Sequence, residues 1–138
     1  MARILCLDIG GKRTGVAVTD PLQIIATGLN TIEAKDLISF LKKYILTEQV
    51  EKILIGMPAN LDGTATHATP FVEEAVKLIN KNFPAVPVEM LDERLTSKMA
   101  KQAMLEMGLK KKDRRNKGLV DEIAATMMLQ EYLQAKNS

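Results

Sequence analysis

Histidine and cysteine are scarce in this chain of 138 residues, which has one of each and no tryptophan. A single cysteine cannot form a disulfide within the chain. One cysteine and one histidine are also too few ligands for a zinc site built from these residue types. We predict that Cys6 is a small buried hydrophobic residue and that His67 is a solvated loop residue. The chemistry must therefore come from carboxylates and from bases such as lysine.

Long apolar runs are also lacking, although 46% of the residues are hydrophobic. No run reaches the roughly 18 residues that span a membrane, and the amino terminus has no apolar segment and cleavage site of the signal-peptide kind. We therefore expect a cytosolic protein without a membrane partner. The length and the ordinary composition predict one folded domain over residues 1–138.

The net charge of +2 is small, but it conceals a strongly basic segment. Residues 110–117 carry a local charge of +5, which leaves −3 for the rest of the chain. Basic residues just before a helix oppose its dipole, so the segment is either a solvated loop or a phosphate-binding surface. Because aromatic residues make up only 4% of the chain, we expect recognition through the nucleic-acid backbone and not through base stacking. The candidate contacts are Lys110, Lys111, Lys112, Arg114, Arg115 and Lys117, with Lys12 and Arg13 near the amino terminus.

Apolar patterning predicts five strands and four helices in an α/β fold. The first three strands follow one another through short turns and should be antiparallel, whereas the last two are reached through helices and should be parallel. The result is a mixed five-stranded sheet with helices on both faces. The predicted strands are Arg3–Ile9, Val16–Thr19, Ile24–Ile32, Lys52–Met57 and Pro87–Leu91. The predicted helices begin near Asp36, Pro70, Thr96 and Val120, and the third ends at Gly108.

Asp8 interrupts the first strand, which is otherwise apolar and typical of a strand covered on both faces. An unpaired buried carboxylate would be costly. The pattern leaves two interpretations open. In the first, Asp8 has a structural role and either pairs with Lys12 or Arg13 or reaches water at the strand end. In the second, it is a metal ligand at the edge of the sheet, where functional sites collect.

Two further acidic positions follow the fifth strand and open the last helix. Of Asp92 and Glu93, only one can lie on the same sheet face as Asp8, because side chains alternate along a strand. Asp121 begins the helix face that continues with Ala124 and Met128. Both positions are also favoured simply by the helix dipole. Acids that converge at one edge would suit Mg²⁺ or Mn²⁺, and two such ions about 3.5–4 Å apart are the usual device for phosphodiester cleavage.

Four segments together resemble the YqgF (RuvX) family, whose members are described as Holliday-junction resolvases and as nucleases that mature the 5′ end of pre-16S rRNA. Each motif alone is weak, but their order and spacing are specific. The segments are Leu7-Asp8-Ile9-Gly10-Gly11-Lys12-Arg13-Thr14-Gly15-Val16-Ala17, Gly56-Met57-Pro58 with Asn60 and Asp62-Gly63, Asp92-Glu93-Arg94-Leu95-Thr96, and Val120-Asp121-Glu122-Ile123-Ala124-Ala125 followed by Leu129-Gln130-Glu131-Tyr132-Leu133.

The resemblance implies an RNase H-like fold and a metal-dependent nuclease. It implies that Asp8, Glu93 and Asp121 are the catalytic metal ligands, with Asp92 the less suitable of its pair. Three basic residues match family positions that could contact phosphate: Lys12, Arg13 and Arg94. The implied cofactor is Mg²⁺ or Mn²⁺.

The leading hypothesis is an endonuclease that processes the 5′ end of pre-16S rRNA during ribosome biogenesis. The alternatives are a Holliday junction resolvase that acts on branched DNA and a non-catalytic factor that binds rRNA. An ATPase built on the Asp8 loop is disfavoured, because such enzymes need a second lobe that 138 residues cannot supply. The chain is expected to be a monomer or a homodimer, since symmetric cleavage of a four-way junction normally takes two active sites.

Overall fold

The computed structural model describes residues 2–57, 69–92 and 117–136. Within this part of the chain, five strands form one sheet in the order β3-β2-β1-β4-β5, and three helices pack against it. The strands are β1 (Arg3–Ile9), β2 (Arg13–Thr19), β3 (Ala26–Glu33), β4 (Val50–Met57) and β5 (Val88–Asp92). The helices are α1 (Leu37–Thr47), α2 (Thr69–Asn82) and α3 (Lys117–Lys136).

The central strand is β1, as its apolar run predicts, and residues 4–7 are fully buried. It pairs antiparallel with β2 and parallel with β4, while β2 pairs antiparallel with β3 and β4 pairs parallel with β5. The predicted mixed sheet of three antiparallel and two parallel strands is therefore confirmed.

Helices α1 and α2 cover one face of the sheet, which we call the α1–α2 face. Leu41 of α1 and Ile79 of α2 pack with Leu5, Leu7 and Ile55 of the central strands in one buried cluster. Pro70 lies in the first turn of α2, where a missing N–H costs nothing.

Helix α3 covers the opposite face, which we call the α3 face. Its buried residues pack against Ile4, Cys6, Ala17 and Leu54, so the predicted burial of Cys6 is confirmed. The packing residues of α3 are Ala124, Ala125, Met128, Leu129 and Leu133. Ile123 and Met127, whose spacing with Ala124 marks the helix in the sequence, are only half-buried. The two alanines turn to the sheet because their small side chains let the helix approach it closely.

The predicted start of β3 is wrong for a local reason, whereas α1 begins at Leu37, close to the predicted position. Strand β3 begins at Ala26 and not at Ile24, because the backbone N–H groups of Ile24 and Ile25 both donate to the Asp20 carboxylate. Asp36 precedes α1 but makes no side-chain cap hydrogen bond. A 3-10 turn over Ala34–Asp36 runs directly into the helix instead.

The predicted third helix, from Thr96 to Gly108, and His67 lie outside the described residues. None of the helices in the described ranges is long and apolar enough to cross a membrane.

Candidate active site

Asp8 is the penultimate residue of β1 and is half-buried. It alternates with Ile4 and Cys6, which pack against α3, so it lies on the α3 face. Its partner across the β1–β2 ladder is Gly15. Because Gly15 has no side chain, it leaves space beside the Asp8 side chain on the α3 face.

The carboxyl ends of three strands meet at the edge where Asp8 lies. Strands β1, β4 and β5 are parallel, and Asp92, the last residue of β5, pairs with Met57 at the end of β4. Val88 packs on the α1–α2 face and Leu91 packs on the α3 face. Asp92 therefore occupies a backbone position of the α1–α2 face, opposite to that of Asp8. Glu93 lies outside the described residues.

Helix α3 runs back across the sheet with its amino end toward the same edge. Near its other end, Tyr132 accepts a hydrogen bond of 2.9 Å from the Nζ of Lys52, near the start of β4. Lys136 donates to Gln23, whose amide in turn donates to the carbonyl of Ala2 beside the start of β1. The carboxyl end of α3 thus lies where β1 and β4 begin. Its fifth residue, Asp121, is placed by the backbone toward the edge where β1 and β5 end.

The turn after β1 is held by three contacts. The N–H of Gly10 donates to the carbonyl of Arg13 at 2.8 Å, and the carbonyl of Lys12 accepts from the N–H of Ala34 at 2.9 Å. The ring of Phe71 lies against Gly11, where an added Cβ would be 3.0 Å from ring atom Cε2. A side chain there would require the ring to shift by a few tenths of an ångström, so the turn packs closely against α2.

A recess of about 480 Å³ lies at this turn, and we call it the basic recess. It is lined by Lys12, Arg13 and Lys35 with Glu33 as the one acidic residue. Lys12 and Lys35 are exposed and Arg13 is half-buried. Lys35 forms an exposed ion pair with Glu33 at 3.2 Å, and the hydrogen bond from this pair raises the pKa of Lys35. The recess is therefore cationic near neutral pH.

The sequence pattern does not point to Lys35. It stands between Glu33 and Asp36, so its surroundings in the sequence look neutral and solvated. Its place beside Lys12 depends on the hydrogen bond from Ala34 to the turn, which joins segments 22 residues apart. A cation next to a predicted phosphate-binding turn can be found only from the folded chain.

The other predicted contacts with nucleic acid lie mostly outside the described residues: Arg94, Lys110, Lys111, Lys112, Arg114 and Arg115. Lys117 is the first residue of α3, and this end of the helix lies toward the sheet edge where Asp8 is located. These assignments stay predictions.

A protein-family model described as "RuvX: Holliday junction resolvase" matches residues 2–135. The chain belongs to the RuvX family. A relative from Flavobacterium psychrophilum is 53% identical over 136 residues, which cover 99% of each chain, and its name is "Putative pre-16S rRNA nuclease". A relative from Bacteroides thetaiotaomicron with the same name is 50% identical over 99% of each chain.

Solved structures agree with the family assignment at the level of the fold. Thermus thermophilus RuvC in complex with Holliday junction substrate has a TM-score of 0.55 at 17% identity, covering 100% of this chain and 97% of RuvC. A second structure of RuvC from the same organism has a TM-score of 0.51 at 16% identity, covering 98% and 96%. The predicted RNase H-like fold and the predicted family are confirmed.

Proposed function

We propose that this chain is a metal-dependent endonuclease of the cytoplasm that processes the 5′ end of pre-16S rRNA. Asp8, Glu93 and Asp121 are the proposed catalytic residues. The carrying observation is that the ends of β1 and β5 and the amino end of α3 lie toward one sheet edge. The backbone position of Asp92 lies on the α1–α2 face, opposite to that of Asp8, and this supports Glu93 as the ligand of the pair.

The residues at this edge suit a hard divalent cation. Asp8 offers carboxylate oxygens on a face where its ladder partner Gly15 takes no space, and Mg²⁺ and Mn²⁺ prefer such oxygen ligands. We assign the metal to Asp8, Glu93 and Asp121. When bound, the metal supplies an activated water and stabilises the leaving oxygen.

The basic residues have a separate role, which is to hold the substrate backbone. Lys12 lies in the turn that follows Asp8 and Ile9, and Arg13 is the first residue of β2 after that turn. Cations at this distance along the chain would hold the phosphates on either side of the scissile bond and keep that bond at the carboxylates. Arg94 and the segment 110–117 extend this surface in the proposal.

Two substrates are supported by different observations. The names of the curated relatives favour precursor rRNA, whereas the description of the family model favours a four-way DNA junction. We place the rRNA first because the relatives are about half identical over nearly their whole length. The junction remains the second candidate, and it would favour the homodimer over the monomer.

The test is cleavage of a 5′-labelled precursor rRNA end and of a labelled four-way DNA junction in parallel, with Mg²⁺ or Mn²⁺. We expect cleavage of the rRNA at the mature 5′ end, with little cleavage of the junction. The Asp8→Asn variant should lose this activity, and the Glu131→Gln variant, which alters an exposed acid of α3, should keep it. Cleavage of the junction and not of the rRNA would show that the substrate is branched DNA. Tight binding of the rRNA without cleavage would support the non-catalytic factor instead.

A further inference from the structure

A second cavity adjoins the basic recess on the α1–α2 face. It is an apolar cleft of about 240 Å³ that lies between α1, α2 and the end of β1. The apolar cleft and the basic recess share Ala34 and Lys35 in their linings, so they are neighbouring parts of one surface. The apolar side chains of the cleft are Ile9, Leu37, Ile38, Phe71, Ala75 and Leu78.

Three polar side chains line the apolar cleft: Thr14, Lys35 and the acidic Glu74. Of these, Thr14 is fully buried, and its Oγ1 has no hydrogen-bond partner in the described part of the chain. A buried hydroxyl without a partner is costly, and most such groups in folded proteins are satisfied. The hydroxyl is therefore available to a bound molecule that carries a donor or an acceptor on an otherwise apolar body.

Phe71 supplies a flat wall at the mouth of the apolar cleft. Although it is a large hydrophobic residue, 51% of its surface is exposed. One side of its ring is fixed against Gly11 in the turn that carries Lys12. Although the low aromatic content argues for recognition through the backbone, this exposed ring next to a cationic turn is a platform on which one nucleobase can stack while its phosphate reaches the cations.

The basic recess completes the pattern. Lys35 lines both cavities, and within the described residues it forms an exposed ion pair with Glu33. Exposed ion pairs contribute little, so a phosphate can compete with Glu33 for this cation. The two cavities thus lie side by side: a largely apolar cleft that has the Thr14 hydroxyl, Lys35 and Glu74 in its lining, and a mainly cationic recess.

We propose that the apolar cleft and the basic recess together bind one unpaired nucleotide of the substrate, with its base in the cleft and its phosphate in the recess. The inference rests on the proposed function, because it assigns this surface to the nucleic acid that the active site cleaves. It makes Thr14, Lys35 and Phe71 substrate-binding residues. Unlike contacts with the backbone alone, a base slot makes cleavage depend on an unpaired nucleotide. Because the cleft lies on the α1–α2 face and Asp8 on the α3 face, the substrate would cross the end of β1 between them.

The first test uses the four nucleoside 5′-monophosphates as probes. Each is titrated into the full chain without divalent metal while the methyl signals of Ile9, Ile38 and Leu78 are followed by NMR. We expect saturable shifts with at least one nucleotide. Thr14→Val should weaken binding about three- to tenfold, and Phe71→Leu about fivefold or more. Lys43→Gln, which removes an exposed lysine of α1, is the charge-matched control for Lys35→Gln and should bind as the wild type does.

Thr14→Val also separates binding from folding. The substitution keeps the shape and removes a buried hydroxyl that lacks a partner, so the variant should have a Tm equal to or above that of the wild type while it binds the nucleotide less tightly. Absence of shifts with all four nucleotides would overturn the inference. Equal nucleotide affinity of Thr14→Val and the wild type would also overturn it.

A second arm asks whether the bound nucleotide belongs to the substrate. A precursor rRNA fragment added without metal should displace the mononucleotide, and Lys35→Gln should reduce the salt dependence of RNA binding by about one phosphate contact. Failure of the RNA to compete would overturn the assignment to substrate. Cleavage of the rRNA by a chain whose cleft binds no nucleotide would leave the proposed function intact and remove only this inference. Nucleotide binding without any cleavage would support this inference and contradict the proposed nuclease function.

Discussion

The side chain of Glu122 in α3 lies against Gly28 of β3. A Cβ added at Gly28 would be 2.6 Å from Oε1 and 2.9 Å from Cγ of Glu122. The contact involves the stem of the side chain as well as its end, so α3 rests on a position of β3 that has no room for a side chain. Because Asp121 precedes Glu122, this contact helps to place a proposed metal ligand.

The first prediction concerns this contact. Gly28→Ala should lower the free energy of unfolding by about 1–2 kcal/mol, because the new methyl group pushes against Glu122. Adding Glu122→Ala should restore much of the loss, with a coupling energy of about 1 kcal/mol in a double-mutant cycle measured by urea unfolding. The control pair is Gly28→Ala with Glu131→Ala, whose effects should add. Additive effects in the first pair would contradict the contact.

The second prediction concerns the basic segment before α3. Replacing Lys110, Lys111 and Lys112 with glutamine should weaken RNA binding and reduce the slope of log Kd against log salt by about two to three, because each phosphate contact releases a counterion. The measurement is a set of RNA titrations between 50 and 200 mM salt, roughly the range in which such contacts are resolved. A variant with Lys42, Lys43 and Lys77 replaced has the same net charge and should keep the slope. Equal slopes in the two triple variants would show that the segment is only a solvated loop.

The third prediction concerns pH and the turn before β3. The Oδ1 of Asp20 accepts hydrogen bonds of 2.8 Å from the N–H groups of Ile24 and Ile25, and the bond from Ile25 is the main cause that lowers the pKa of Asp20. A lowered folded-state pKa adds stability that is fully present above the unfolded value of 3.8 and is lost as the pH falls through the folded value.

Asp20→Ala should therefore be less stable than the wild type at neutral pH, and the gap should narrow below about pH 3.8. Asp20→Asn keeps an acceptor oxygen but cannot titrate, so its advantage over Asp20→Ala should not change in this range. Thermal unfolding at a series of pH values tests both statements. A gap between the wild type and Asp20→Ala that widens on acidification would contradict the assignment.

The fourth prediction separates stability from activity. Lys52 donates to Tyr132, lies 5.4 Å from the centre of its ring and pairs with Glu89 at 3.7 Å. Tyr132→Phe keeps the ring and loses the hydrogen bond, so it should lower the free energy of unfolding by about 1 kcal/mol. Cleavage should be unchanged, because this contact lies near the start of β4, at the edge opposite Asp8. A large loss of cleavage in a folded Tyr132→Phe protein would contradict the proposed location of the active site.

Much of the fold follows from local patterns in the sequence. The apolar run around Asp8 is typical of a central strand, and the spacing of short turns and helices predicts which strand pairs are antiparallel and which are parallel. These features depend on neighbouring residues, so the sequence displays them directly. The position of Asp8 at a sheet edge follows from them.

The errors and omissions arise where distant groups interact. The start of β3 depends on Asp20, whose carboxylate accepts hydrogen bonds from the N–H groups of Ile24 and Ile25 that strand pairing would otherwise use. The basic recess depends on the hydrogen bond between Ala34 and Lys12, and the apolar cleft depends on Phe71 lying against Gly11. Thr14 looks like an ordinary strand residue until its hydroxyl is found buried without a partner.

The central claim is that Asp8 is part of a metal-dependent cleavage site. The most direct test is the single-turnover rate of cleavage of the precursor rRNA end in Mn²⁺ by the wild type, Asp8→Asn and Glu131→Gln, each shown to be folded by its Tm. The account predicts that Asp8→Asn is slower by at least about a hundredfold, that Glu131→Gln matches the wild type, and that Mn²⁺ raises the Tm of the wild type more than that of Asp8→Asn. Equal rates for Asp8→Asn and the wild type would contradict it.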